Sequence, residues 1–204
     1  PGAQQGRHHY PPLIAFLLKE KNMPRPASPI STDHVILALL DEKPMHGYEI
    51  HQRISSMPGI IKIWSLKQGL LYAKLEKLKE AGLLEDAPDH PEANPSRHYF
   101  RLTPVGREAL NAWIDSPVTR ARDIRQEFLA KLIVAHKFSL ERALTLLRAQ
   151  REVIQRWHTS LAEQAAPQKA AELDDWIVHS YRLFRDEASL RWLDDLENWL
   201  VRLG

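Results

Sequence analysis

Leu71, Leu75 and Leu78 recur at i, i+4 and i+7 within SLKQGLLYAKLEKLKEAGLL, residues 65–84, and this spacing is the apolar stripe of a short helix. Ser65 and Gln68 have the Ser-x-x-Gln spacing of a capping box, and Gly82 stands where a left-handed C′ residue closes such a helix. On a helical wheel Leu71, Leu75, Leu78 and Gly82 group together with Leu70 close by, while Gln68, Gly69, Tyr72, Glu76 and Lys79 take the other side. Upstream, STDHVILALLDEKP predicts a helix with Ser31 or Thr32 as N-cap, an apolar face at Val35, Ile36, Leu39 and Leu40, and Pro44 as its stop. MHGYEIHQRISSMPG predicts a second, with Tyr48, Ile50, Ile54 and Met57 as apolar positions and Pro58-Gly59 as punctuation. The β-rich IIKIWS reads as a linker able to make one short strand.

Beyond the leucine helix the period changes to two. LLEDAP and RHYFRLT read as strands flanking the polar loop DHPEANPS. Alternation turns Phe100 and Leu102 inward and Arg97, Tyr99 and Arg101 outward. TPVGREALNAWI then starts another helix, with Thr103 as N-cap and Pro104 at the first helical position. Helix, helix, helix, strand, loop, strand, helix is the order of a winged helix-turn-helix.

After Pro117 the pattern is helical only. VTRARDIRQ is an arginine-bearing connector and EFLAKLIVAHKF an apolar helix of about three turns. Between Ser139 and Ala165, Leu140, Leu147, Ile154 and Leu161 recur at sevens, with Leu144 and Trp157 on the same face; Pro167 breaks the run. From Lys169 onward Leu173, Trp176, Ile177, Leu183, Phe184, Leu190, Leu193, Leu196 and Leu200 gather on roughly one side. That is more apolar face than one helical hairpin buries, which predicts a homodimer. The fold class expected is mainly α with a small β-wing. A winged helix-turn-helix domain spans 30–116, and an antiparallel, coiled-coil-like helical dimerisation domain spans 117–204. Residues 1–29 are proline-rich and lack a signal-peptide pattern, and Met23 is a candidate start. They read either as an extension outside the functional fold, native or non-native, or as a basic arm on DNA or a strap on a partner subunit.

Composition adds exclusions. Of the 204 residues 44% are hydrophobic and 26% charged, the balance of an ordinary folded domain. No apolar run approaches the roughly 18 residues of a membrane span. The absence of cysteine removes disulfides and thiolate metal sites and is compatible with a cytoplasmic location. The net charge of +2 is no footprint for nucleic acid: residues 23–116 carry 11 basic and 12 acidic groups, and residues 117–204 carry 14 and 13. Any argument for DNA therefore rests on local placement. His8-His9 are adjacent and His46 and His51 are five apart, so neither pair has helical metal-ligand spacing. There is no glycine-rich phosphate loop and no nucleophile elbow, and the carboxylate pairs Asp174-Asp175 and Asp194-Asp195 read as solvated faces. Neither an enzyme nor a metal or cofactor is expected.

The leucine helix is the candidate reader of DNA. A helix entering the major groove offers its first turn to base edges. There Gln68 can pair with adenine, Lys67 can reach guanine or phosphate, and Gly69 allows close approach; Ser65 and Tyr72 flank them. The plainer alternatives are that Gln68 only completes the capping box, that Tyr72 packs half-buried, and that Lys67 and Lys74 decorate a wet face. In the wing Arg97 is the best candidate for phosphate and Tyr99 an outward neighbour, although Asp89 and Glu92 at the tip would repel a phosphate backbone.

HVILALLDEKPMHGYEI (34–50), GLLYAKLEKLKEAGLL (69–84) and RHYFRLTPVGREAL (97–110) together closely resemble the winged-helix domain of the PadR family of transcriptional regulators. The signatures carried are Gly47–Ile50, the Leu-Tyr-x-x-Leu helix of Leu71–Leu83, and the corner Phe100–Arg107. The resemblance implies a regulator, most often a repressor, that binds a pseudo-palindromic double-stranded operator as a homodimer through C-terminal helices. It also implies release by a small, often aromatic effector, for which Trp157 and Trp176 are candidates. Lys67 and Gln68 stand where the family often has Ser or Pro, and Tyr99-Phe100 where it often has Tyr-Tyr, so base preference does not carry over. A rival reading, kept open by the near-zero charge of 23–116, is a helical dimer that uses its winged helix for protein interaction.

Overall fold

The computed structural model describes residues 31–88, 98–164 and 173–203. The expectations for the N-terminal extension, for Arg97, for the acidic loop tip and for the break at Pro167 lie outside those residues.

Helix α1 (Ser31–Glu42) is buried almost all round, with Val35, Ile36 and Leu37 fully covered. Ser31 serves as the acceptor for the Trp64 indole N–H at 3.2 Å, and both it and Thr32 lie within the helix's first turn. Pro44 follows the helix end and leads into β1 (Met45–His46), a two-residue strand that had left no pattern in the sequence. Helix α2 (Gly47–Ser56) begins on His46, whose Nδ1 accepts from the Glu49 amide at 3.1 Å. Its core side is Ile50 and Ile54, whereas Tyr48, read as apolar, is 58% exposed.

IIKIWS is not a strand. Ile60–Ile63 form one turn of helix, α3, closed by the Trp64 amide on the Ile60 carbonyl. β-Branched propensity yields here because Ile60 is driven fully into the core while Ile61 and Lys62 stay out, a split that suits a helical turn. Helix α4 (Gln68–Glu80) follows. Its end is a Schellman closure: Gly82 at φ 70°, its amide on Lys79, and the Leu83 amide on Leu78, both at 2.9 Å.

Strands β2 (Leu84–Asp86) and β3 (Tyr99–Leu102) pair antiparallel, Leu84 opposite Leu102, and β1 adds to the other edge of β3, giving the order β1-β3-β2. Helix α5 (Pro104–Asp115) starts as read: Thr103 Oγ1 accepts from the Gly106 amide at 3.0 Å, with Pro104 at the first turn. Gly106 is required there, because an added Cβ would stand 2.1 Å from the Leu83 carbonyl oxygen.

A 3₁₀ turn (Ala121–Asp123) and a π turn (Ile124–Phe128) connect to α6 (Leu129–Phe138), α7 (Leu140–Ala162) and α8 (Leu173–Leu203). Arg148 to Glu197, Arg151 to Asp194 and His158 to Glu187 run in opposite order along α7 and α8, so the two helices are antiparallel. The seven-residue seam holds: Leu147, Ile154 and Leu161 are at most 3% exposed. It continues on α8 at Asp186, Leu193 and Leu200, all buried. One apolar core runs from the winged part into these helices through Phe128, fully buried and edge-on to Trp192 at 6.1 Å. Gln150, wholly buried, ties the connector to α7 by accepting from the Val118 amide (2.8 Å) and donating to its carbonyl (3.1 Å).

Candidate nucleic-acid interface

The chain's local chemistry locks one side of α4 and leaves the other open. Leu71 and Leu75 are fully buried and Leu78 nearly so. Lys74, read as wet, is 8% exposed and gives its ammonium to Asp33 on α1 at 2.6 Å. Leu66, also buried, anchors the turn before the helix, and His51 Nε2 donates to its carbonyl at 2.9 Å.

The capping box does not form. The N-cap is Lys67, its side chain makes no capping bond, and the Leu71 amide closes on the Lys67 carbonyl at 3.1 Å. Ser65 sits two residues too early to cap, because burying Leu66 spends that position on the core. Ser65, Lys67, Gln68 and Gly69 are all exposed on the surface that leads into the first turn. Leu70, expected near the core, is 53% exposed beside them. The first turn's amides point outward with the positive end of the helix dipole, the usual setting for an anion.

Tyr72 is 44% exposed, and its ring lies over Gly47, where a Cβ would meet Tyr72 Cε1 at 2.6 Å. The glycine of the Gly-Tyr-Glu-Ile signature thus makes room for the tyrosine of α4. Together with His46, Tyr48, Glu76 and His98 they line a cleft of about 340 Å³ between α2, α4 and the wing. Tyr48, His46 and Glu76 were missed as interface candidates. The Gly-Tyr pair was the available signal, since an aromatic next to a glycine at a helix start is poorly explained by core packing.

Tyr99 corrects the outward assignment. It is 6% exposed, because β1 covers that side of β3 and the His46 ring stands edge-on to it at 5.2 Å. Both faces of β3 are covered at its start, so alternation fails there. Further along the wing the charges answer one another: Arg101 meets Glu85 at 2.7 Å and Lys79 meets Asp86 at 2.6 Å. The hydrogen bond to Asp86 holds the Lys79 ammonium above its ordinary range. The exposed cation in the first turn of α4 remains Lys67.

In the helical part Trp157 and Trp176 are not brought together. Trp157 is half-buried and lines a cleft of about 740 Å³ between the connector, α7 and α8; Trp176 is 49% exposed and outside that lining.

A family model described as the transcriptional regulator PadR-like family matches residues 36–112, the span from α1 to α5 just described. The chain belongs to the PadR-like family of transcriptional regulators. The probable transcriptional regulator Rv1176c of Mycobacterium tuberculosis is 23% identical over 180 residues, covering 80% of this chain and 94% of that protein. An uncharacterized protein of Lysinibacillus sphaericus is 32% identical over 79 residues, 39% of this chain and 71% of that one. Among solved structures the chain is similar to Bacillus subtilis PadR in complex with operator DNA. The identity is 20% and the TM-score 0.39, covering 82% of this chain and 98% of that one. The Vibrio cholerae virulence activator AphA is 23% identical with a TM-score of 0.36, covering 85% and 99%. At such TM-scores neither superposition bears on function. The PadR-like match spans the three-stranded winged fold, from α1 to α5. Among the described residues no helix is long and apolar enough to cross a membrane, and no three potential metal ligands cluster.

Proposed function

We propose that this PadR-like regulator is a cytoplasmic, sequence-specific DNA-binding repressor that grips a pseudo-palindromic operator as a homodimer and is released by a small effector. The observation that carries the reading is α4: a buried leucine face with an open first turn of Lys67, Gln68, Gly69 and Tyr72. Residues 30–116 form the DNA-binding domain and 117–204 the dimerisation and effector domain. On α8, Trp176, Ile177 and Phe184 are 49%, 51% and 70% exposed, at spacings that form one stripe. A second copy of the same helix is the occupant we assign to that stripe, which sets two recognition helices at a fixed separation for successive major grooves. Trp157 belongs to the effector site in this scheme, and Trp176 to the dimer contact.

The test is a gel-shift titration of the whole protein against its own upstream region across salt. Specific binding that weakens with salt is expected. Replacing Lys67 by Ala should cost about tenfold in affinity and lower the salt slope by about 1, and Gln68→Ala should relax base preference. Absence of specific binding to any genomic fragment overturns the proposal in favour of the protein-interaction reading.

A further inference from the structure

The cleft between the connector and the long helices has a chemistry that nothing in DNA reading uses. Its walls carry three aromatic rings, Trp157, Tyr181 and Trp192, and three guanidiniums, Arg122, Arg125 and Arg185. The rings are presented to the opening: Tyr181 is 66% and Trp192 37% exposed. The charges do not cancel. Arg185 is spent on Asp186, a buried neighbour held at 2.6 Å. Asp123 is held at 2.7 Å by Arg120, and Arg122 reaches it only at 3.8 Å. Arg125 has no carboxylate partner among the described residues. Of the three guanidiniums that line the cleft only Arg185 has a close carboxylate among the described residues, so the surplus falls on Arg122 and Arg125, at the turn where the backbone changes from 3₁₀ to π geometry.

We infer that this cleft binds a nucleotide-type ligand, a planar heteroaromatic ring carrying a phosphate monoester. Two surplus cations match a phosphate monoester, which bears about two negative charges near neutral pH. Guanidinium forks are suited to phosphate oxygens, and indole and phenol faces to a base. A small aromatic carboxylate matches the cleft less well: it brings one charge, and a single ring leaves most of about 740 Å³ unfilled. Arg125 also lines a neighbouring cleft of about 450 Å³ with Lys62, Ile63 and Leu129. That neighbour includes α3, the turn that leads into Leu66 and the recognition helix, so an anion drawn to Arg125 acts on the segment that positions α4. This inference rests on the effector reading above.

Isothermal titration calorimetry on the full chain tests it, with adenosine and guanosine 5′-monophosphate, adenosine, inorganic phosphate and 4-hydroxybenzoate as probes. A monophosphate should bind with a Kd in the micromolar range, and adenosine and phosphate at least tenfold more weakly. Arg122→Ala, Arg125→Ala and Tyr181→Ala, all exposed positions whose loss spares the core, should each weaken binding tenfold or more, with Arg125→Lys in between. Binding of 4-hydroxybenzoate with no nucleotide binding overturns the assignment, as does nucleotide affinity indifferent to Arg122 and Arg125, or no binding of any probe. The same preparation is run in the gel shift. Operator binding without nucleotide binding sinks this inference alone, and nucleotide binding without operator binding sinks the repressor reading while supporting the cleft.

Discussion

Replacing Gly106 by Ala tests the corner on which the wing and α5 meet. The new methyl carbon would lie 2.1 Å from the Leu83 carbonyl oxygen, 2.7 Å from Leu102 Cδ1 and 3.0 Å from the Leu83 carbonyl carbon. A carbon–oxygen contact needs about 3.3 Å, so the backbones must part by roughly 1 Å. The same oxygen accepts from the Thr103 amide and from Thr103 Oγ1, both at 3.1 Å, and Thr103 caps α5. Overpacking costs about 1–3 kcal/mol and a weakened cap with its hydrogen bonds about 1–2 more, against a helix-propensity gain of about 1. The net expectation is a loss of about 3 kcal/mol, which for a chain of this size lowers Tm by roughly 6–12 °C. Gly69→Ala is the control: nothing stands within 4 Å of its added carbon, so it should gain about 0.5–1 kcal/mol of stability. Thermal unfolding followed by circular dichroism compares the two. A Gly106→Ala melt within a degree of the parent, or a Gly69→Ala melt as low as that of Gly106→Ala, refutes the reasoning.

Two further expectations come from buried polar groups. His34 stacks on Trp113 at 4.5 Å beside Lys131, and burial first, then the Lys131 charge, push its imidazole down from 6.5 to about 4. Its folded pKa lies below its unfolded one, so the unfolded state binds the proton more readily. Stability is therefore intact above about pH 6.5 and falls by about 3 kcal/mol as pH drops toward 4. His34→Phe should flatten that slope in urea titrations at stepped pH, and an unchanged slope would show that another group carries it. Gln150→Leu strands the Val118 amide and carbonyl in the core and should cost about 3 kcal/mol, with the connector becoming open to limited proteolysis before global unfolding. Wild-type protease resistance in that variant would count against the clamp.

How much of this the sequence could show depends on whether the cause was local. Gly82, Thr103-Pro104 and the sevens from Leu147 to Leu161 act over a few residues, and each is where its pattern put it. The failures are tertiary. Lys74 reads as a wet charge because its partner, Asp33, is 41 residues away. Tyr99 reads as outward because the strand covering it is two residues long, too short to leave alternation of its own. Ser65 has the spacing of a cap, but Leu66 next to it is worth more buried, and the chain turns inward there before the helix begins.

The same distinction separates what can be said about the two tryptophans. Trp157 and Trp176 look equivalent as apolar positions on long helices, and α8 is apolar over too many positions for its wheel to say which face meets α7. The antiparallel register, seen in Arg148, Arg151 and His158 standing against Glu197, Asp194 and Glu187, decides it. That register gives Leu193 and Leu200 to the seam and sends Tyr181, Arg185 and Trp192 into the wall of the arginine-lined cleft. It also leaves Trp176 and Phe184 outward. A periodic sequence thus specifies that two helices pack, while the register, which the flanking ion pairs mark, decides which of several apolar faces is spent on packing and which stay exposed.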